Sequence, residues 1–354
     1  MINIALLGFG TVGSGVAEVL TENHDLIKAR TGLDINVKYI LDLREFPLHP
    51  LGDRVVHDYN VILNDPDIML VAEMMGGVHP AYDFSMAAIK AGKNVVTSNK
   101  AVVAEYGPEL LSEAAKRDLR YLFEASVGGG IPIIRSLTDQ IAGNDIFEID
   151  GILNGTTNYI LTEMFKNGVS FDSALKSAQA LGYAEADPSA DVDGFDTCRK
   201  ICILAAVAFG KLVPFTKVST EGIRKITVED IKEAEKNNCA VKLVARALKT
   251  DDGIYLKTEP MAIKKSSPLY AIEDVYNGIL IRGNISGDLM FFGKGAGKLP
   301  TAGAVVSDII DIVSRGNKQP KQQLWTRDEA VYCSALTDEQ IENTKNELGY
   351  SLGK

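Results

Sequence analysis

Ile2-Asn3-Ile4-Ala5-Leu6-Leu7-Gly8-Phe9-Gly10-Thr11-Val12-Gly13 opens the chain. The first six residues are short and almost wholly apolar, which predicts a buried strand. Ser14 to Leu20 then begins a helix. Between them lies G-x-G-x-x-G, where glycines permit a tight turn and let a pyrophosphate approach the backbone at a helix N-terminus. Gly8, Phe9, Gly10, Thr11, Val12 and Gly13 are therefore the expected phosphate-binding turn. The strand before and the helix after give the motif the context it needs.

The rest of the first half continues that pattern. Asn36 to Leu41 predicts a second strand that ends at Asp42. An acid there accepts hydrogen bonds from ribose hydroxyls and repels a 2′-phosphate, which leans toward NAD over NADP. Arg44, two residues on, is the alternative partner for a phosphate. Ile68 to Glu73 and Asn94 to Thr97 predict further strands, with a helix over Ala81 to Ala91 between them. This βαβαβ alternation implies a parallel sheet with its ligand beyond the carboxyl ends of the strands. Met74 to Gly77 and Ser98-Asn99-Lys100 fall on that edge, so Ser98 and Lys100 face the cofactor crevice. A helix over Glu109 to Arg117 and a strand over Tyr121 to Phe123 follow. Glu124 to Pro132 holds three consecutive glycines and reads as a turn that exposes backbone groups, leading into a helix from Pro132 to about Ala142.

A second constellation lies farther on, in Gly182-Tyr183-Ala184-Glu185-Ala186-Asp187-Pro188 and onward through Asp191, Asp193 and Asp196 to Lys200. Pro188 keeps Asp187 out of a helix interior. Phe195 to Phe209 then predicts a helix with Asp196 and Lys200 one turn apart on one face. Such pairs are also common as weak surface ion pairs. Glu185 sits on the loop feeding the helix, so the carboxylates and the lysine can converge. Phe147 to Leu153 predicts a strand, and Asn154-Gly155-Thr156-Thr157-Asn158 is a polar loop that either holds an amino acid's polar groups or caps a helix. Further helices are expected over Tyr159–Phe165, Phe171–Leu181 and Val228–Glu235. Strands are expected over Ala240–Leu248, Ile254–Pro260 and Gly278–Arg282, so this half is α+β. Phe292 to Lys298 reads as a second glycine-rich turn, and Leu299 to Val313 as a helix returning to the first domain and bringing Gly297 near the nicotinamide. From Ser314 the chain is polar and irregular, with a terminal helix over Asp338 to Leu348.

Composition narrows the function classes. A chain of 354 residues exceeds one typical core, so two domains are expected. A net charge of −10 argues against general binding to nucleic acid or anionic membranes. No apolar run approaches the roughly 18–20 residues that span a bilayer, and Met1 to Leu7 lacks the basic flank and cleavage site of a signal peptide. Cys198, Cys202, Cys239 and Cys333 show no paired spacing, and His24, His49, His57 and His79 lie far from them in sequence. That usage fits helix packing in a reducing cytoplasm.

Together the motifs resemble the homoserine dehydrogenase family, over roughly residues 1 to 313. The resemblance rests on Gly8 to Gly13, Thr97-Ser98-Asn99-Lys100, Glu124 to Pro132, Asn154 to Asn158, Gly182 to Lys200, and Gly293 to Gly297 through Leu299-Pro300-Thr301-Ala302. It implies an oxidoreductase that interconverts L-homoserine and L-aspartate 4-semialdehyde with NAD or NADP, on the route to threonine, methionine and isoleucine. It implies a Rossmann-type dinucleotide-binding domain over 1–135 with the return helix at about 299–313. A substrate-binding and dimerisation domain follows over 136–298, and a tail over 314–354. By the resemblance, Lys200 is the acid/base and Lys100 a second catalytic lysine. Asp196 holds the substrate's hydroxyl end and the lysine, and Glu185 takes the substrate ammonium. Tyr183, Thr156 and Asp191 line the substrate. Backbone oxygens of Glu124, Val127, Gly129 and Ile131 match a monovalent-cation site for Na⁺ or K⁺, and a homodimer is implied. Two departures stand out. The forty or so residues after the return helix are too few for an ACT domain, so threonine feedback through one is not expected. NADP-using relatives often carry arginine after the second strand, where this chain has Leu41-Asp42-Leu43-Arg44.

Two other classes fit less well. An acylating semialdehyde dehydrogenase needs a nucleophilic cysteine beside a histidine, and no cysteine here sits in such a loop. A regulator that only senses a dinucleotide has no use for Glu185, Asp196, Lys200 and Lys100 together.

Overall fold

The computed structural model describes residues 1–315 and 324–353. The chain divides into two units, one made of Met1–Ile134 with Ala296–Trp325, the other of Arg135–Gly295 with Thr326–Lys354.

In the first unit β1 (Ile2–Leu7) runs into α1 (Thr11–Glu22), α2 (His24–Thr31) and β2 (Ile35–Leu41). β3 (Val55–Val56), α3 (Tyr59–Leu63), β4 (Ile68–Glu73), α4 (Ala81–Lys90), β5 (Asn94–Thr97), α5 (Lys100–Ala115) and β6 (Tyr121–Leu122) follow. The six strands pair in parallel in the order β3-β2-β1-β4-β5-β6. Strand order reverses between β1 and β4, where doubly wound sheets open a crevice. The return helix Lys298–Arg315 closes this unit's core: Ala302, Val305, Ile309 and Ile312 cluster with Ile4, Leu6, Val16 and Leu20.

In the second unit β7 (Ile146–Ile152), α6 (Gly155–Asn167), α7 (Phe171–Ala180), α8 (Ser189–Val192) and α9 (Phe195–Phe209) come first. Then come β8 (Lys211–Leu212), β9 (Ser219–Thr220), α10 (Val228–Lys236), β10 (Cys239–Thr250), β11 (Gly253–Lys264), β12 (Tyr276–Gly283) and β13 (Gly287–Lys294). The main sheet runs β13-β12-β7-β10-β11, extended at β11 by β9 and two strands from the C-terminal segment. Helices α6 and α10 cover it, packing Ile160, Leu161 and Ile231 with Val241 and Leu243 of β10.

Four expectations are corrected. The helix expected over Glu109 to Arg117 begins nine residues earlier, because Asn99 caps it through the Ala101 and Val102 N–H groups and Pro108 is carried inside. Gly107, before that proline, lies where a Cβ would fall 2.7 Å from the Trp325 ring. The helix expected from Pro132 to Ala142 shrinks to one wide turn over Ser136–Gln140. Phe292 to Lys294 belong to β13, paired along its length with β12, so only the residues after them form the turn. The C-terminal segment also supplies strands Thr326–Arg327, Tyr332–Cys333 and Gly349–Ser351 around the helix Asp338–Glu347. Strands of two or three residues carry no periodic signal, and a sheet edge recruits them. The part of that segment at 316–323, and Lys354, lie outside the described residues.

Candidate active site

The phosphate-binding turn is built as its glycines require. Gly8 has φ +90°, the left-handed half of backbone space. A Cβ on Gly13 would stand 2.1 Å from the Gly8 carbonyl oxygen, whereas one on Gly10 would meet nothing within 4 Å. The turn is thus closed on its inner side and open at Gly10, the space a pyrophosphate needs. α1 starts at Thr11 with Gly10 as its cap, leaving its first N–H groups directed outward.

Asp42 lies beside this turn, where its Oδ2 accepts the Phe9 N–H at 2.8 Å. Arg44 closes on the same carboxylate with Nε on Oδ1 and Nη2 on Oδ2, each at 3.0 Å. The Arg44 guanidinium, helped by the Arg44 and Phe9 N–H groups, holds the Asp42 carboxyl down to about 2. The two residues read as rival cofactor selectors are thus partners of each other.

Ser98 and Lys100 sit beyond β5, at the carboxyl edge. The Ser98 N–H donates to the Glu73 carbonyl at 3.1 Å, and Lys100 is the first residue of α5. Gly297 (φ +122°) accepts the Thr301 N–H at 3.1 Å and so starts the return helix. In the glycine turn, Gly128 and Gly129 have φ of +77° and +55°. Glu124 is buried; its N–H donates to Asp308 and its Oε1 accepts from the Ile134 N–H, both at 2.8 Å. Val127 and Ile131 are buried beside it.

In the second unit the acidic stretch separates into different tasks. Asp187 accepts from the Ser189 N–H at 3.1 Å, holding the turn into α8. Asp193 pairs with Arg224 at 2.5 Å. Asp191 and Asp196 converge instead on Asn154. The Asn154 Nδ2 donates to Asp191 Oδ1 at 2.7 Å and to Asp196 Oδ2 at 2.8 Å, which uses both amide hydrogens. Its Oδ1 meanwhile caps α6 through the Thr157 N–H at 2.9 Å. Lys200 donates from Nζ to Asp196 Oδ2 and to the Leu153 carbonyl, both at 2.7 Å. Asp196 is 2% and Lys200 8% exposed, so this is a buried pair on a helix's first two turns. α9 can start there because Gly194, at φ +85°, packs where a Cβ would lie 3.3 Å from the Glu221 carbonyl oxygen.

Around the pair, Thr156 donates its hydroxyl to the Tyr183 carbonyl at 2.6 Å, tying α6 to the acidic loop. The Tyr183 ring meets Tyr159 edge-on at 5.1 Å. Glu185 is exposed, with its carbonyl held by the Gln179 amide at 3.1 Å. Sequence reasoning placed Asn154 in a polar loop without seeing that it links three elements. An amide just before a helix, flanked by Gly and Thr, was the available signal. Among the described residues no group of three or more His, Cys, Asp and Glu side chains suits a metal ion, and no helix is long and apolar enough to cross a membrane.

Comparisons with known proteins identify the family. The family model described as "Homoserine dehydrogenase" matches residues 132–310, and "Homoserine dehydrogenase, NAD binding domain" matches residues 8–124. A homoserine dehydrogenase of Synechocystis is 46% identical over 319 residues, 88% of this chain and 73% of that protein. One from Bacillus subtilis is 40% identical, again over 88% and 73%. The crystal structure of a homoserine dehydrogenase from Thiobacillus denitrificans superposes with a TM-score of 0.88 at 37% identity, covering 94% of this chain and 79% of that one. A hyperthermophilic archaeal homoserine dehydrogenase in complex with NADPH superposes at 0.77 with 30% identity, over 90% and 99%. The chain belongs to the homoserine dehydrogenase family.

Proposed function

We propose that this chain interconverts L-homoserine and L-aspartate 4-semialdehyde with NAD(P), using Lys200 as acid/base. The observation that carries this is the buried Lys200–Asp196 pair, 2.7 Å apart and braced by Asn154. When bound, the nicotinamide accepts or supplies the hydride. Aldehyde reduction develops negative charge on oxygen, and a lysine ammonium both stabilises that charge and donates the proton. Asp196 and the Leu153 carbonyl orient Nζ. Glu185 takes the substrate ammonium, with Tyr183, Thr156 and Asp191 around it, and Lys100 is the second catalytic lysine that the family resemblance implies. The test is absorbance at 340 nm with purified protein and L-homoserine, with NAD and then with NADP. Folded protein that binds a dinucleotide yet turns homoserine over with neither would overturn the reading.

The Asp42–Arg44 pair supports NAD as the preferred cofactor, because Arg44 must leave Asp42 before it can meet a 2′-phosphate. Asp42→Ser removes that competitor. It is expected to move the NAD-to-NADP ratio of kcat/KM toward NADP by about tenfold, equivalent to about 1.4 kcal/mol. An unchanged ratio would remove Asp42 from cofactor choice.

Two further assignments rest on the family. Carbonyl oxygens of Glu124, Val127, Gly129 and Ile131 hold Na⁺ or K⁺; crystals grown in rubidium salts with no anomalous peak there would refute it. The protein is a homodimer through its second unit; a monomer in sedimentation equilibrium would refute that.

A further inference from the structure

At the carboxyl edge of the parallel sheet a buried carboxylate takes no part in the chemistry described above. Glu73 ends β4 and is fully buried. Its Oε1 accepts the Met75 N–H and its Oε2 the Thr97 hydroxyl, both at 2.6 Å. The Thr97 oxygen in turn accepts the Asn99 N–H at 2.9 Å. Asn99 caps α5 with Oδ1, and its Nδ2 reaches back to the carbonyls of Met75 at 3.2 Å and Gly77 at 2.7 Å. The circuit therefore joins the loop after β4 to the loop after β5 and ends at the cap of the helix that begins with Lys100. Both loops lie where ligands of doubly wound sheets bind, downstream of the phosphate turn.

We propose that Glu73 is a positioning residue for the dinucleotide, fixing the Met74–Gly77 and Ser98–Lys100 loops in one arrangement through its two accepting oxygens. This rests on the proposed use of NAD(P) but not on the identity of the substrate. The need for a carboxylate follows from donor counting. Thr97 gives its only hydrogen to Glu73 while its oxygen takes the Asn99 N–H. A glutamine has one acceptor and a two-hydrogen donor in place of two acceptors. It can satisfy Met75 or Thr97, and whichever it leaves is a buried donor without its acceptor.

Protonation of Glu73 produces the same mismatch. Burial pushes its carboxyl up, against the opposing pull of Thr97, Met75 and Asn99. The other ionisable groups facing it are Tyr59 and Tyr121, both raised by burial and by Glu73 itself, so they stay neutral. Affinity for a dinucleotide should then fall as pH drops through the raised Glu73 value.

The test is NADH titration followed by nicotinamide fluorescence, on the full chain, from about pH 5 to about pH 8. Glu73→Gln is expected to weaken NADH at least about tenfold at neutral pH and to abolish the acid limb seen in the wild type. Thr97→Val should weaken NADH in the same direction and decides the matter if Glu73→Gln does not fold. Wild-type affinity in a folded Glu73→Gln protein, or an acid limb that persists in it, would overturn the proposal. So would wild-type affinity in Thr97→Val. The titration needs no turnover, so a wild type inactive on homoserine would defeat the substrate reading and leave this result standing.

Discussion

Lys200→Ala lowers kcat for homoserine oxidation by at least about 10²-fold, the contribution expected of a positioned acid/base. Dinucleotide binding, measured by titration, stays near wild type because the phosphate turn lies in the other unit. Lys200→Arg separates charge from proton transfer. It keeps a cation near Asp196 but cannot give up its proton at working pH, so it should restore little of the rate. Either substitution disturbs a buried pair, so the unfolding midpoint of each variant must accompany the kinetics. Near-normal turnover in a folded Lys200→Ala protein would take Lys200 out of the mechanism.

Arg246→Met is expected to be the most destabilising single change in the second unit. Arg246 is 3% exposed and gives Nε to Asp150 and Nη2 to Glu148, both at 2.7 Å, and Nη1 to Thr344 at 3.0 Å. Arg282 completes the cluster, 2.7 Å from Glu148 and 3.3 Å from Asp150. Removing one member of a buried ionic group costs about 3–5 kcal/mol, because Glu148 and Asp150 are left with Arg282 alone as counter-charge. Urea unfolding measures this directly, and a loss below about 1 kcal/mol would show that the carboxylates are relieved some other way.

The pH dependence of that loss has a definite sign. Burial raises the Asp150 carboxyl to about 7, with Glu148 adding to the rise and Arg246 opposing it. A carboxyl raised in the folded state contributes stability that is full below its unfolded value and is lost as pH rises through the folded value. Without Arg246 the opposition is gone and the folded value rises further. The Arg246→Met penalty should therefore be larger at about pH 8 than at about pH 5.5. A penalty that grows toward acid would contradict the arrangement.

What the sequence disclosed was what neighbouring residues encode. The strand, glycine turn and helix at Ile2–Glu22 are contiguous, and the one-turn spacing of Asp196 and Lys200 fixes their shared face without any knowledge of the fold. The limits of α9, Phe195–Phe209, were readable from a glycine before it and an apolar body within it. Distant partnerships were not readable. Arg44 turning onto Asp42, Asn154 joining Asp191 to Asp196 and Glu73 linking two loops all depend on backbone segments brought together by the sheet. Pro108 lies inside α5 against its local meaning. Its local meaning is helix breaking, but the Asn99 cap and the burial of Val102, Val103, Leu110 and Leu111 outweigh it.

The return helix has a consequence for how the protein is made. Its Ala302, Val305 and Ile309 fill the same core as Ile4 and Leu6, yet residues 135–295 are synthesised in between. On the ribosome, the amino-terminal half therefore emerges with an apolar groove that its own sequence cannot fill. It must wait, open to chaperones and to misassembly, until residues 298–315 have been translated. The second unit has the bulk of its strands in hand before then. A polypeptide released after residue 134 should accordingly show no cooperative unfolding transition, whereas joining residues 296–315 to it through a flexible linker should restore one.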